Sequence, residues 1–135
     1  MKSKTDLVKG LVRKAESDLA NAEMCLSAKQ SLDTACFHAQ QAAEKYIKAY
    51  LIAREIDYPY IHNLEKLVEL CTQHDPSFIS IKPISQELTP YAVELRYDEE
   101  FWPDREVAEA ARASALAVRE FVLKRLAANL LPETP

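Results

Sequence analysis

Between Thr34 and Ala53 apolar positions return every three or four residues: Ala35, Ala39, Ala42, Ala43, Tyr46, Ile47 and Tyr50. At the angular step of a helix they cover one broad face, wider than a helix with a single neighbour needs. Small alanines let other helices come near, while the two tyrosines fill gaps and each brings a hydroxyl that needs a partner. His38, Gln41, Lys45 and Lys48 fall on the remaining face, again at spacings of three and four. The pattern predicts a helix touched on several sides, at the centre of an all-α bundle.

The flanking segments fit that centre. Leu7, Leu11, Ala15, Leu19, Ala22 and Leu26 repeat at helical spacing, with Lys9, Arg13, Lys14, Glu16 and Asp18 on the outer face. A long helix is expected from Thr5 or Asp6, either of which could cap it, to about Lys29-Gln30. Ser31-Leu32-Asp33 is a short connection that forces the first two helices antiparallel, and Asp33 is the expected cap of the second. Asp57-Tyr58-Pro59-Tyr60-Ile61 interrupts the pattern, because the residue before a proline is pushed out of helical geometry. A short third helix is expected from Asn63 to His74, with Leu64, Leu67, Val68 and Cys71 inside. Ile81, Ile84, Leu88, Tyr91 and Leu95 predict a fourth, with Pro83 in its first turn and a kink at Pro90. Arg96 to Trp102 is aperiodic. The last helix starts at Pro103-Asp104 and is expected to reach about Leu130, with Val107, Ala111, Ala115, Val118, Phe121, Val122 and Leu126 as its stripe. The expected architecture is an up-and-down bundle of five helices, two long antiparallel pairs and one short connecting helix. It forms a single domain over 1–135, with residues 131–135 fraying.

Composition narrows the function. A single glycine, Gly10, argues against hairpins and phosphate-cradling loops together. The three cysteines, Cys25, Cys36 and Cys71, are an odd number within helical patterns, so reduced thiols and a cytoplasmic location are expected rather than a disulfide framework. No amino-terminal apolar run reads as a signal peptide, and none is long enough to span a bilayer. The net charge of −4 excludes a strongly basic binder while leaving room for a local basic patch. No Cys or His spacing of a metal site occurs, and neither a metal nor another cofactor is expected.

Three motifs in register carry a resemblance. Phe37-His38-Ala39-Gln40-Gln41-Ala42-Ala43-Glu44-Lys45, then His62-Asn63-Leu64, then Leu88-Thr89-Pro90-Tyr91-Ala92-Val93-Glu94-Leu95-Arg96-Tyr97 resemble segments of the HEPN family (higher eukaryotes and prokaryotes nucleotide-binding domain). The resemblance covers nearly the whole chain. It implies a helical bundle, often a homodimer. In some branches it also implies partnership with a minimal nucleotidyltransferase in toxin–antitoxin pairs. Active toxin branches carry an arginine followed four to six residues later by a histidine, and two protomers form a metal-independent RNA-cleaving site. Arg96 matches that arginine. The histidine is missing: positions 101 to 103 are Phe, Trp and Pro, and no histidine follows His74. Arginine stays protonated and cannot shuttle a proton. The expectation therefore leans away from an enzyme, with no catalytic residue assigned. It favours binding of a nucleotide or of a nucleotidyltransferase partner, and leaves RNA as a further ligand.

The candidate contacts are Arg96, Tyr97, Lys45, Gln41 and His38. The Arg96 guanidinium could take a phosphate bidentately while Tyr97 stacks on a base; alternatively Arg96 pairs with Asp98, Glu99 or Glu100 and Tyr97 packs at the bundle end. His38, Gln41, Lys45 and Lys48 could face a groove and meet phosphate, or form a solvated face with a Glu44–Lys48 pair. Asp98, Glu99, Glu100 and Asp104 read as an acidic loop rather than a Mg²⁺ site. Phe101 and Trp102 either cap the bundle or anchor a partner. The competing enzyme hypothesis is a ribonuclease whose base is His38 or His62, and it requires one of them to approach Arg96. A third reading is a structural dimerisation or adaptor module, which would leave a large apolar patch exposed.

Overall fold

In the computed structural model, which describes residues 2–132, five α-helices form the bundle: α1 (Lys4–Ala28), α2 (Leu32–Ala53), α3 (Leu64–His74), α4 (Lys82–Leu88) and α5 (Arg105–Leu123). There is no strand among the described residues. Short 3₁₀ turns cover Pro76–Ile81, Thr89–Tyr91 and Ala128–Leu130. As the alanine-rich pattern predicts, α2 is the centre and touches each of the other four helices. All seven positions of its predicted apolar face are buried.

The first turn of α1 is held by Ser3 rather than by Thr5 or Asp6. The Ser3 hydroxyl accepts from the Asp6 backbone N–H while the Asp6 carboxylate accepts from Ser3 N–H, a reciprocal capping box. The core stripe of α1 is also rotated from the expected one. Val8 and Val12 are buried, whereas Leu7 is largely exposed and Leu11 only half-buried. Ala15, Leu19, Ala22 and Leu26 lie inside as predicted.

The turn between α1 and α2 uses Lys29 and Ser31 in the left-handed region, at φ 57° and 54°. Side chains there are strained where glycine is usual. Ser31 occupies the cap position of α2 without a side-chain bond, and Asp33 lies inside the first turn. There Asp33 complements the helix dipole instead of capping it.

Asn63 caps α3 through the Lys66 N–H, and Asp104 caps α5 through the Val107 N–H. Pro90 ends a helix rather than kinking one. α4 has seven residues, Thr89–Tyr91 is a 3₁₀ turn, and non-helical turns follow to Tyr97. A proline lacks the N–H and crowds the preceding turn, and this segment is too short to repair the loss by packing. Phe78, unassigned by periodicity, is fully buried in the Pro76–Ile81 turn against Tyr50 and Phe121. α5 stops at Leu123, and Leu126 and Leu130 still reach the core from the irregular end. Its stripe runs through Ala108 rather than Val107. Of the tail 131–135, Leu131 packs against the core, and residues 133–135 lie outside the described residues.

α5 is locked to α1 by three arginines one heptad apart. Arg105 donates to the Leu26 carbonyl at 3.1 Å, Arg112 pairs with Glu23, and Arg119 pairs with Glu16 at 3.1 Å. The descending order on α1 against the ascending order on α5 makes the two helices antiparallel. Beneath Glu16 and Arg119 the Tyr46 hydroxyl is fully buried and has no hydrogen-bond partner among the described residues. Burial, then the nearby Glu16 carboxylate, push its pKa far above the ordinary phenol value.

The thiols give a test of this packing. Burial raises both Cys36 and Cys71 to about 12, whereas Cys25 is only half-buried. A thiol is nucleophilic as its thiolate. One cysteine of three is therefore expected to react with a thiol reagent near pH 8 in the native protein, the other two only on unfolding. Because the unfolded chain ionises these thiols near 9.0, stability is expected to be full below that pH and to fall as pH rises towards 12. Thiol counting with and without urea, and urea titrations across that range, measure both effects.

Candidate functional site

The candidate contacts divide into a paired set and an open set. Lys45 and His38 share one carboxylate, that of Asp18 on α1. Lys45 Nζ lies 2.5 Å from one of its oxygens and His38 Nδ1 2.8 Å from the other. Gln41 donates to Gln40 at 2.7 Å and receives a long contact from Lys45. One turn further on, Glu44 is 5% exposed and receives Lys48, Gln40 and His62 at about 3.0 Å each. The Glu44–Lys48 pair expected on a solvated face is present, but it lies in a half-buried seam. These side chains sit there because α2 is covered on nearly every side, and its polar groups must find partners in the protein.

Asp18 does not belong to the outer face of α1, where it was expected. It is 9% exposed. The signal for its burial is nonetheless in the sequence: Asp18 lies three residues after Ala15 and four before Ala22, on the core stripe itself.

Arg96 is different. It is exposed and has no carboxylate within salt-bridge distance among the described residues, so the expected alternative pairing with Asp98, Glu99 or Glu100 is not formed. Asp98 instead accepts from the Glu100 backbone N–H. The Arg96 guanidinium lies over the Phe37 ring, 4.2 Å from its centroid, and 5.5 Å from the ring of its neighbour Tyr97. An aromatic face holds a guanidinium without occupying its hydrogen-bond donors. Tyr97 is 76% exposed, so its ring is open to stacking.

Arg96, Phe37 and His38, with Thr34 and Asp33, line a groove of about 330 Å³ at the start of α2. His38 and Arg96, 58 positions apart in sequence, thus meet at one opening. Lys45 and Gln41 do not line it, and Lys45 is connected to it only through Asp18. His62 is bound to Glu44 and does not line the groove. Phe101 and Trp102 part company. Phe101 stacks on Tyr91 at 5.7 Å and covers the bundle end, while Trp102 is 75% exposed beside the α1–α2 turn. No cluster of metal-ligating side chains occurs among the described residues.

The HEPN domain family model matches residues 8–126. The chain belongs to the HEPN domain family. Two solved structures share the fold of this HEPN bundle. ST0689, described as an archaeal HEPN homologue, is 23% identical, with a TM-score of 0.71 over 93% of this chain and 98% of its own. TT1696 from Thermus thermophilus is 24% identical, with a TM-score of 0.73 over 88% of this chain and 98% of its own. Identities this low speak for the fold alone. Among curated proteins none matches the chain. No helix among the described residues is long and apolar enough to cross a membrane.

The shared contacts to His38 and Lys45 make Asp18 a structural tie as well as a neighbour of the groove. Asp18→Ala leaves Lys45 and His38 without their acceptor in a half-buried seam, a loss of about 1–3 kcal/mol. Urea unfolding of that variant against the unaltered protein measures it.

Proposed function

We propose that this HEPN-domain protein is a nucleotide-binding module whose phosphate sits at the Arg96 groove. The observation that carries the reading is the free guanidinium of Arg96, laid on Phe37 with its donors unspent and Tyr97 exposed beside it. A charged, rigidly backed fork of N–H groups suits a phosphate, and an adjacent open ring suits a base. Lys45 and Gln41 serve this site from behind, by holding the Asp18–His38 seam. A homodimer and a minimal nucleotidyltransferase partner, in a toxin–antitoxin-like pair, complete the reading; both are supported by the family resemblance.

A second reading gains support from one contact. His38 lines the same groove as Arg96, which supports it as a base standing in for the absent downstream histidine. The adaptor reading draws on exposed apolar side chains such as Tyr60, Trp102, Met24 and Ile79.

Thermal unfolding with a panel of ribonucleotides, run on the protein and on Arg96→Ala, tests the first reading. A ligand at about 100 times its dissociation constant stabilises by about 2.7 kcal/mol, roughly 10 °C for a chain of this size. The shift is expected with the unaltered protein and is expected to vanish in Arg96→Ala. A shift that survives the substitution places the ligand elsewhere; none with any nucleotide defeats the reading. For the second reading, single-stranded RNA is expected to be cut by the protein and left intact by His38→Ala. RNA left intact by the unaltered protein removes it.

A further inference from the structure

Gly10, the only glycine of the chain, lies in the interior of α1. Its φ is not positive, and a Cβ added to it would meet nothing within 4 Å. Neither backbone conformation nor packing within this chain therefore asks for glycine, which weakens a helix interior relative to alanine. A bare Cα on the helix surface leaves room for another backbone to come close.

The charges around Gly10 carry a similar cost. Residues 2–14 hold five cations, Lys2, Lys4, Lys9, Arg13 and Lys14, in a chain whose net charge is −4. None of the five lies within salt-bridge distance of a carboxylate among the described residues. Asp6, the one carboxylate of this stretch, is engaged in the capping box. Lys4 stands at the positive end of the helix dipole, and Lys9 and Arg13 are like charges four residues apart; both arrangements weaken a helix.

By helical spacing Gly10 and Ser17 lie one heptad apart on the face turned away from the buried Val8, Val12 and Ala15. Lys9 and Arg13 flank that line on the side where Glu16 meets α5. Leu7 and Lys14 flank it on the side where Asp18 meets α2. The possible occupants of a basic helix face differ in what else they require. An anionic bilayer requires apolar side chains free to insert, but Val8 and Val12 are inside the core. Single-stranded nucleic acid requires rings on which bases stack, and no aromatic residue precedes Phe37. A protein helix requires room for its backbone with opposite charges on either side, which Gly10 and its flanking cations supply. We propose that the outer face of α1 is a docking surface for an acidic helical segment of a partner protein, packed on Gly10 and Ser17 and paired with Lys9, Arg13 and Lys14.

Fluorescence anisotropy at low salt, with a labelled helical peptide bearing an alanine stripe flanked by glutamates, tests this on the full chain. The peptide is expected to bind, and its affinity to fall roughly tenfold or more in Lys9→Glu/Arg13→Glu. Gly10→Leu leaves every charge in place and is expected to weaken binding about tenfold by filling the space a partner backbone needs. Gly10→Ala is expected to raise the melting temperature by about 3 °C, since the fold does not need the glycine. A peptide that does not bind, or that binds the native protein and the first two variants alike, overturns the inference. So does a melting temperature lowered by Gly10→Ala. Tighter binding of oligouridylate or of phosphatidylserine vesicles, lost in Lys9→Glu/Arg13→Glu, assigns the face to RNA or to a membrane instead. Self-association that Gly10→Leu abolishes assigns it to a second copy. No variant touches Arg96, so the nucleotide-binding reading stands or falls separately.

Discussion

The near-complete burial of α2 is the constraint on which the rest of this bundle depends. Ala35, Ala39, Ala42, Ala43 and Ala49 are all buried, so helices can approach its backbone from more than one side. Tyr46, Ile47, Tyr50 and Leu51 then supply the volume that alanines cannot. Close packing of this kind tolerates little change in volume, because neighbours on opposite faces cannot both retreat. The antiparallel α1–α5 seam, with Arg105, Arg112 and Arg119 meeting α1 one heptad apart, closes the ring around that centre.

A helix buried this fully leaves its polar side chains little water to fall back on. Each must find a partner inside the protein or lose the cost of its desolvation. Hence one carboxylate, Asp18, serves both His38 and Lys45, and another, Glu44, serves Lys48, His62 and Gln40. The two clusters tie α2 to α1 on one side and to the start of α3 on the other. What reads in one dimension as a basic and amide-bearing stripe is in three dimensions two carboxylate-centred clusters joined through Gln41. Against that economy the unpaired Arg96 stands out. Arg54, Arg105, Arg112, Arg119 and Arg125 each meet a carboxylate or a carbonyl, whereas Arg96 lies on an aromatic ring at an opening.

The opening itself arises from chain breaks. Pro90 ends α4 and releases the segment that carries Arg96 and Tyr97, and the strained Lys29–Ser31 turn brings the first residues of α2 to the same end. Phe37 and His38 follow one turn later on α2. The opening is therefore built from a helix on one side and an irregular segment on the other.

The sequence by itself determined the helical class, the central place of α2, the existence of five helices and the family, because helical periodicity and motif order are local or linear properties. It also singled out Arg96 and His38, without fixing whether they meet. Which register α1 presents, Val8 and Val12 rather than Leu7 and Leu11, was decided by the shape of the α2 surface it meets, since both sets have helical spacing. That Pro90 terminates rather than kinks, that Phe78 fills the gap between Tyr50 and Phe121, and that α5 stops at Leu123 were likewise decided by packing. Above all, only the tertiary structure could place Asp18 under His38, and His38 beside Arg96. Those groups come from three different segments, and no pattern within one segment encodes the distance between them.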